Sequence, residues 1–332
     1  MSRFIPPRES SIDLDSPDRP FDNIINFRDV GRTINRLMGR PVLKEGVFYR
    51  SARLDEASER DKRRLVSEYH ISTIIDLRSG TEHDMATAKR SACTPIPPPK
   101  APAETESETG TEEPKYIHLP SLPGVSRHLI SLTGRALERA LVWRLDWWNF
   151  IKVLSYLASG NRIDAITLIG REVMNPRGLV GLAKDTLDNS TAEMREVFEI
   201  LGGGTAASLS TRGNENENET RTIPAPVLVH CTQGKDRTGL VVLLLLLLTG
   251  VVDDEAMAAE YVLSESELAV EGEERMKEIR ALGLDDEFAR CPGVFTREVG
   301  AYLDERYGGV QGYLGGVLGV DVERLRGHFV VV

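Results

Sequence analysis

The ten residues "HCTQGKDRTG", at positions 230–239, constrain the fold most because they lie between two apolar segments. The β-branched run "PAPVLV" precedes them and the leucine block "LVVLLLLLLTG" follows, which predicts a strand, a short loop and a helix beginning near Thr238. Backbone N–H groups of such a loop converge at the N-terminus of the helix, where they bind anions. Gly234 and Gly239 permit the close turns that this requires. The sequence therefore predicts an anion-binding loop at a strand end.

Cys231 and Arg237 give this loop its chemistry. A cysteine at the base of the loop lies among N–H donors and the positive helix end, which favours the nucleophilic thiolate. Arg237 presents a planar pair of donors that fits two oxygens of a phosphoryl group. A lone buried cysteine before a helix is usually inert, and a glycine-rich turn between a strand and a helix is common in α/β folds. The order of strand, His-Cys, five residues, Arg-Thr and helix nevertheless favours catalysis. His230, at the strand end, is expected to brace the loop rather than to act as a base.

Composition excludes several classes of function. The chain has 332 residues, 41% of them apolar, and a formal charge of -10, which argues against binding nucleic acid or an anionic membrane through its overall field. Its three cysteines, Cys93, Cys231 and Cys291, have neither disulfide nor metal-ligand spacing, so we expect a reducing, cytoplasmic location and no metal or cofactor. The nine apolar residues 240–248 are too few for a membrane span and predict a buried helix.

Strand and helix patterns alternate along the chain. The predicted strands are "GVFYRSA" (46–52), "ISTIIDL" (71–77) and "APVLVH" (225–230), and the predicted helices are 58–70, 253–268 and 296–307. Ser58 and Asp61 form a predicted capping box at the start of the first helix. This alternation predicts an α/β fold with a central, mostly parallel sheet flanked by helices, and ligands bind such sheets where strands end.

The chain is expected to form one domain, residues 21–332, after a flexible N-terminus, residues 1–20. Residues 91–115 are rich in proline and glutamate and residues 202–222 have a similar polar composition, so both are predicted to be flexible inserts. Between them, residues 125–200 predict a helical insertion that precedes the loop. In this insertion Leu137, Leu141, Trp148, Ile151 and Leu154 have approximate helical spacing, and Trp143, Trp147 and Trp148 are predicted to pack in the core or against a domain.

The loop "HCTQGKDRTG" resembles the signature loop of the cysteine-dependent protein tyrosine phosphatase superfamily. Its "GKDRTG" ending is similar to a fungal and bacterial branch of tyrosine and dual-specificity phosphatases, some of which act on phosphoinositides. The resemblance runs from about Phe21 to the C-terminus outside the two inserts, and Arg32 departs from it where the family usually has a second glycine. Further matching stretches are "NFRDVG" (26–31), "EGVFYRSARL" (45–54), "IIDLRSGTE" (74–82) and "LDERYGGVQGYL" (303–314).

This resemblance implies a phosphomonoester hydrolase with a phosphocysteine intermediate. Cys231 would attack phosphorus, Arg237 and the loop amides would hold the phosphoryl oxygens, and Thr238 would hydrogen-bond the sulfur. The phosphate loop would comprise Thr232, Gln233, Gly234, Lys235 and Asp236, supported by His230 and Gly239.

Two aspartates are candidates for the general acid that protonates the leaving oxygen. Asp76 ends a predicted strand, so it is expected at the same sheet edge as Cys231, and the resemblance assigns the acid to its "DLRS" motif. Asp236 lies in the loop itself and is the alternative. Arg78 offers another interpretation of Asp76, because an ion pair between them would keep the carboxylate ionised.

The substrate class stays open at this stage. A protein tyrosine or dual-specificity phosphatase is the leading interpretation, with a phosphotyrosine protein as its partner. Lys235 is expected to add a second positive group at the rim of the loop, which would also suit a phosphoinositide or inositol phosphate. A phospho-binding pseudophosphatase is a third alternative, although Cys231 and Arg237 are both intact.

Overall fold

The computed structural model describes residues 21–93, 116–203 and 226–331. Within them a five-stranded sheet has the order β1-β2-β5-β3-β4, with β1 antiparallel to β2 and the other neighbours parallel. The strands are β1 (Arg28–Asp29), β2 (Phe48–Ser51), β3 (Thr73–Asp76), β4 (Ser126–Leu129) and β5 (Val227–His230). The predicted α/β fold with a mostly parallel sheet is confirmed.

Helices flank this sheet. They are α1 (Val30–Met38), α2 (Glu59–Arg63), α3 (Gly80–Cys93), α4 (Arg135–Val142), α5 (Trp147–Ala158), α6 (Arg162–Ile169), α7 (Asn175–Asn189), α8 (Thr191–Leu201), α9 (Asp236–Thr249), α10 (Asp254–Leu268), α11 (Gly272–Ala281), α12 (Phe295–Tyr307) and α13 (Val322–Phe329). The predicted capping box is present, since the Ser58 hydroxyl caps α2 and the Asp61 carboxylate returns to the Ser58 backbone. No helix among these is both long and apolar enough to cross a membrane.

The two faces of β5 belong to different clusters of the core. Val227 and Val229 pack on one face with the leucine-rich helix α9, whereas Leu228 packs on the other with Ile74 and Tyr49. Successive side chains of a strand point to opposite faces, so a strand that is covered on both sides is apolar throughout. α9 is likewise buried almost all round its axis, as expected for a core helix. These contacts fix the strand end and helix start between which the loop runs.

The insertion at 125–200 differs from its predicted form in two ways. It begins with the edge strand β4, and its first long helical pattern is broken between α4 and α5, where Asp146 caps α5 by accepting from the Trp148 N–H. The predicted burial of Trp143, Trp147 and Trp148 is wrong, because their exposed fractions are 75%, 68% and 73%. α4 buries Leu137 and Leu141, whereas α5 buries only Val153.

The predicted flexible segments fall mostly outside the described residues. Residues 94–115, most of 202–222 and residues 1–20 are in this class, so these predictions and the domain bounds remain predictions. The first insert begins later than expected, since α3 continues through Cys93. Within α3, the Ser91 hydroxyl donates to the Thr87 carbonyl one turn earlier, which a helical backbone permits.

Candidate active site

The loop begins where three parallel strands end at the same level. Ser51 of β2 and Asp76 of β3 are both in register with His230, the last residue of β5. The chain then runs through Cys231 directly into α9, which starts at Asp236, two residues before the predicted Thr238. The candidate residues of the loop therefore lie at the carboxyl edge of the sheet, where α/β folds bind ligands.

Two glycines of this loop lie close to neighbouring elements, and Gly234 also has a left-handed backbone. Gly234 has a φ of 65°, and a Cβ there would overlap the Ser51 carbonyl. At Gly239, a Cβ would lie 3.1 Å from the Tyr261 ring of α10. Only a residue without a side chain permits both the left-handed turn and the close approach to β2. These contacts explain the spacing of the two glycines in the sequence.

The carbonyl groups of the loop are held from outside. The Arg53 N–H donates to the Thr232 carbonyl at 3.1 Å, and the Asn26 side chain donates to the carbonyls of Gln233 and Gly234 at 3.0 and 3.1 Å. In a trans peptide the C=O and the following N–H point in opposite directions. Outward carbonyls therefore turn the next N–H groups toward the inside of the loop, where they can bind an anion.

A buried ion-pair network supports this arrangement. Arg50 donates to the Gly234 carbonyl at 2.6 Å and pairs with Glu260 of α10 at 2.7 Å, and Arg28 pairs with the other oxygen of Glu260 at 2.8 Å. Burial raises the pKa of Glu260, but the two arginines outweigh burial and lower it. Removing one member would leave a buried charge without its partner, which is strongly destabilising. The sequence motifs "NFRDVG" and "EGVFYRSARL" thus contain residues that shape the loop from behind.

Arg237 is held along one edge by Glu82, a residue of α3. Its two terminal nitrogens donate to the two Glu82 oxygens at 2.6 Å each, and Nη1 also donates to the Leu77 carbonyl at 3.3 Å. A guanidinium has five N–H donors, so Nε–H and one Nη2–H are left by these three bonds. Those two hydrogens form the other edge of the same planar group. The pair with Glu82 therefore orients Arg237 without using the donors that a phosphoryl group would need.

Glu82 and Arg237 each stabilise the charged form of the other. Burial raises the pKa of Glu82, but Arg237 and the Thr232 hydroxyl outweigh it and lower that pKa to about 2. Burial lowers the pKa of Arg237, but Glu82 outweighs burial and raises it, with smaller contributions from Cys231 and Asp236. Cys231 itself is only 3% exposed, at the first position of the loop. Cys231 and Arg237 thus interact electrostatically at the sheet edge.

Sequence reasoning missed Glu82, although the motif "IIDLRSGTE" ends on it. A usable signal was present, because a partly buried arginine needs a carboxylate partner. The motif also follows β3, whose carboxyl end lies beside that of β5. The Ser79 backbone N–H donates to Glu82 at 2.9 Å, which fixes the carboxylate at the start of α3.

Asp76 lies beside the loop, as its strand position predicts, but its carboxylate is fully buried. Arg78 donates to it from Nε and Nη2, at 3.0 and 2.8 Å, and also pairs with Asp55 at 2.7 Å. Burial raises the pKa of Asp76, but His230 and Arg78 outweigh burial and hold it well below its ordinary value. This geometry favours the ion-pair interpretation of Asp76 over the expected role as acid.

Lys235 is not at the rim of the loop. It is fully buried, and its ammonium donates to the Arg290 carbonyl at 2.8 Å and lies 2.7 Å from the Asp236 carboxylate. The expected second positive group for a polyphosphorylated substrate is therefore a structural cation instead. Asp236 differs from both Lys235 and Asp76 because its side chain is 40% exposed.

The remaining loop residues take varied positions. The His230 ring lies 3.1 Å from the Cys231 carbonyl through Nδ1, a contact that braces the loop. Gln233 accepts from Arg275 of α11 at 3.1 Å. The Thr238 hydroxyl is buried and finds no hydrogen-bond partner among the described residues, so the expected bond to the Cys231 sulfur is not formed here. Within residues 21–93, 116–203 and 226–331, no cluster of His, Cys, Asp and Glu could hold a metal ion.

Comparison with known proteins is a second line of evidence on the function of this chain, separate from the geometry of the loop. The sequence model of a family described as "Tyrosine phosphatase family" matches residues 19–331. A curated protein of Cupriavidus necator, provisionally named a tyrosine-protein phosphatase, is 39% identical over 114 residues. That match covers 31% of this chain and 39% of the relative, so it spans about two fifths of the relative's length.

Proposed function

Because the chain belongs to the tyrosine phosphatase family, we propose that it hydrolyses phosphomonoesters, with protein phosphotyrosine as the leading substrate class. The observation that carries this proposal is the loop itself, in which outward carbonyls leave the amides facing inward around Cys231. The free edge of Arg237 adds two donors to that cradle. An anion with several oxygens and an electrophilic centre suits these groups.

The reaction proceeds in two displacements. The Cys231 thiolate attacks phosphorus, the P–O bond to the leaving group breaks, and the leaving oxygen takes a proton from a general acid. Water then attacks the phosphocysteine, its proton passes to the same residue, and inorganic phosphate departs as the thiolate is restored. Arg237 and the loop amides stabilise the charge on the phosphoryl oxygens in both transition states.

We assign the acid to Asp236 rather than Asp76. Both aspartates have a cationic neighbour, Lys235 for Asp236 and Arg78 for Asp76, but only Asp236 has a partly exposed side chain that a substrate can reach. Asp76 then acts through Arg78 and His230 as a positioning residue behind the loop.

Phosphotyrosine is long enough to bring its phosphorus to the buried Cys231. Only 3% of Cys231 is exposed, and the phenol of phosphotyrosine carries phosphorus farther from its backbone than serine or threonine can. The buried Lys235 removes one argument for a phosphoinositide substrate. Purified protein tested on phosphotyrosine peptides, phosphoserine peptides and soluble phosphoinositides decides between them. Preference for the serine peptide or the inositide would contradict this substrate class.

We expect Arg237→Lys to lower kcat/KM for an aryl phosphate about 100-fold, or about 2.7 kcal/mol. An ammonium is a point charge and cannot reproduce the planar pair of donors. Arg306→Lys, on the exposed part of α12, is the matched control and should keep parental kinetics. A loss smaller than about tenfold at Arg237 would argue against the bidentate role.

Glu82→Gln should lower kcat about tenfold, or about 1.4 kcal/mol, with a smaller change in KM. The amide keeps the shape of Glu82 but puts N–H donors against Arg237, so the guanidinium loses its fixed orientation. Because the folded pKa of Glu82, about 2, is below the ordinary 4.5, its ion pair stabilises the loop above about pH 4.5 and is lost as pH falls toward 2. Glu45→Gln, in an exposed ion pair with Arg32, is the control. An unchanged kcat would refute the orienting role.

A further inference from the structure

The insertion carries an exposed apolar surface that the proposed catalysis does not use. We call it the tryptophan face and define it as Trp143, Trp147, Trp148, Ile151, Leu154 and Leu157. Each of these side chains is at least 40% exposed. α5 has a single charged residue, Lys152, among its twelve residues and buries only Val153. A helix that is apolar all round its axis is normally covered by something.

The exposure is concentrated rather than scattered. Sixteen large hydrophobic side chains are exposed in the described residues, and seven of them lie between positions 143 and 163. Phe150 stacks between Trp143 and Trp147, with ring centroids 5.6 and 6.3 Å away, so the aromatic part is already ordered. Single exposed hydrophobics are common on any protein, but a contiguous patch marks an interaction surface.

The charge around this surface is opposite to that of the protein. Residues 135–169 carry five Arg or Lys against three Asp or Glu, whereas the whole chain has a formal charge of -10. Arg135, Arg139 and Lys152 are exposed on α4 and α5. Of the three negative groups in this segment, Asp146 caps α5, Glu138 lies 3.6 Å from Arg162, and Asp164 is exposed on α6. A local basic and aromatic surface on an acidic protein complements an anionic partner.

A lipid surface has the chemistry that fits these residues. Tryptophan is enriched where a membrane meets water, and interfacial helices combine Trp, Phe and Leu with Lys or Arg. α5 is twelve residues and about 18 Å long, too short to span a bilayer but suited to lie in its interface. We propose that the tryptophan face docks the protein on an anionic phospholipid surface.

A series of contacts through two helices links the docking surface to the catalytic loop. α6, which follows α5, packs against the end of α11, where the Thr167 hydroxyl donates to the Ala281 carbonyl at 3.0 Å. α11 also carries Arg275, whose Nε donates to Gln233 of the loop. Two helices, α6 and α11, thus lie between the docking surface on α5 and the residues of the loop. Docking concerns binding alone and does not depend on the proposed catalysis.

Intrinsic tryptophan fluorescence reports on the tryptophan face, because all three tryptophans of the chain lie on it. The 332-residue chain is mixed with vesicles of phosphatidylcholine alone or of phosphatidylcholine with phosphatidylserine, at low and high salt. Flotation and intrinsic fluorescence are then measured. We expect flotation and a blue shift of the emission with the anionic vesicles, both weakened by salt, and little of either with the neutral ones.

Variants separate this surface from general stickiness. Trp147→Ser combined with Trp148→Ser should weaken partitioning at least tenfold. Because both side chains are largely exposed, we expect the double variant to keep the parental fold, which circular dichroism checks. Lys152→Glu should weaken partitioning to anionic vesicles only. Val317→Ser, an exposed apolar residue far along the chain, should bind like the parent. Hydrolysis of a soluble aryl phosphate should be unchanged in all three variants.

Three results would overturn the proposal. The first is no flotation with anionic vesicles at low salt. The second is equal flotation with neutral and anionic vesicles, which would remove the role of charge. The third is a blue-shifted emission without lipid together with a dimer mass by light scattering, which would show that a second copy of this chain covers the face. If docking succeeds while the substrate panel shows no turnover, only the proposed catalysis is lost.

Discussion

The Cys231→Ser variant is expected to lose turnover of phosphotyrosine by at least about 10⁴-fold, or about 5.4 kcal/mol. A serine hydroxyl has nearly the size of the thiol but does not ionise under the same conditions, so the attacking anion is missing. The amides of the loop and the free edge of Arg237 stay in place. Binding of inorganic phosphate, measured by calorimetry, should therefore persist in the variant.

Cys291 provides the matched control. It is also buried and free, but burial raises the pKa of its thiol to about 11, so it is protonated at neutral pH. Cys291→Ser should keep parental kcat. Turnover by Cys231→Ser at the parental rate would refute the cysteine mechanism. Loss of phosphate binding would show that the substitution had disturbed the loop.

Local sequence patterns predicted the part of the site that the backbone builds. The apolar run before His230 and the leucines after Thr238 define a strand and a core helix whatever else surrounds them. Gly234 marks the turn because no other residue fits beside β2. The alternation of the remaining elements then places the loop at the carboxyl edge of a parallel sheet. Fold class and the position of Cys231 follow from these short-range signals.

Those short-range sequence signals do not show which side chains of the loop are buried and which are exposed. Lys235 and Asp236 are neighbours in sequence, yet one is buried against the Arg290 carbonyl and the other is partly exposed. Arg290 is remote in sequence, so no local pattern reports this contact. Glu82 and Arg237 are likewise far apart, at 155 positions, so no local pattern reports their contact.

The tryptophans show a further limit of sequence patterns. Helical spacing shows that α5 has apolar positions but not that the core lies on the side of Val153. Burial is the usual outcome for a tryptophan, and an interaction surface is the exception that spacing alone does not reveal. Packing with α6 decides which side of the helix is covered.

Asp236→Asn is expected to slow phosphotyrosine hydrolysis about 10³-fold while slowing an aryl phosphate with an acidic phenol far less. The phenol of tyrosine has a pKa of about 10, so it leaves poorly without a proton, whereas an acidic phenol leaves well as its anion. The basic limb of the pH–rate profile should flatten at the same time, because no carboxyl remains to be deprotonated. Both substrates and the full pH range are measured by steady-state kinetics.

Asp76→Asn distinguishes an acid from a positioning residue. Its carboxylate pairs with Arg78, and its folded pKa lies below the ordinary 3.8, so the pair stabilises the fold above that pH and is lost as pH falls below it. The amide removes this stabilisation at neutral pH and leaves Arg78 with Asp55 alone. We expect equal losses on both substrates, an unchanged basic limb and a lower unfolding midpoint. If Asp76→Asn were instead the selective variant and Asp236→Asn the uniform one, the proton donor would be at the end of β3. The pair with Arg78 would then have to open when substrate binds.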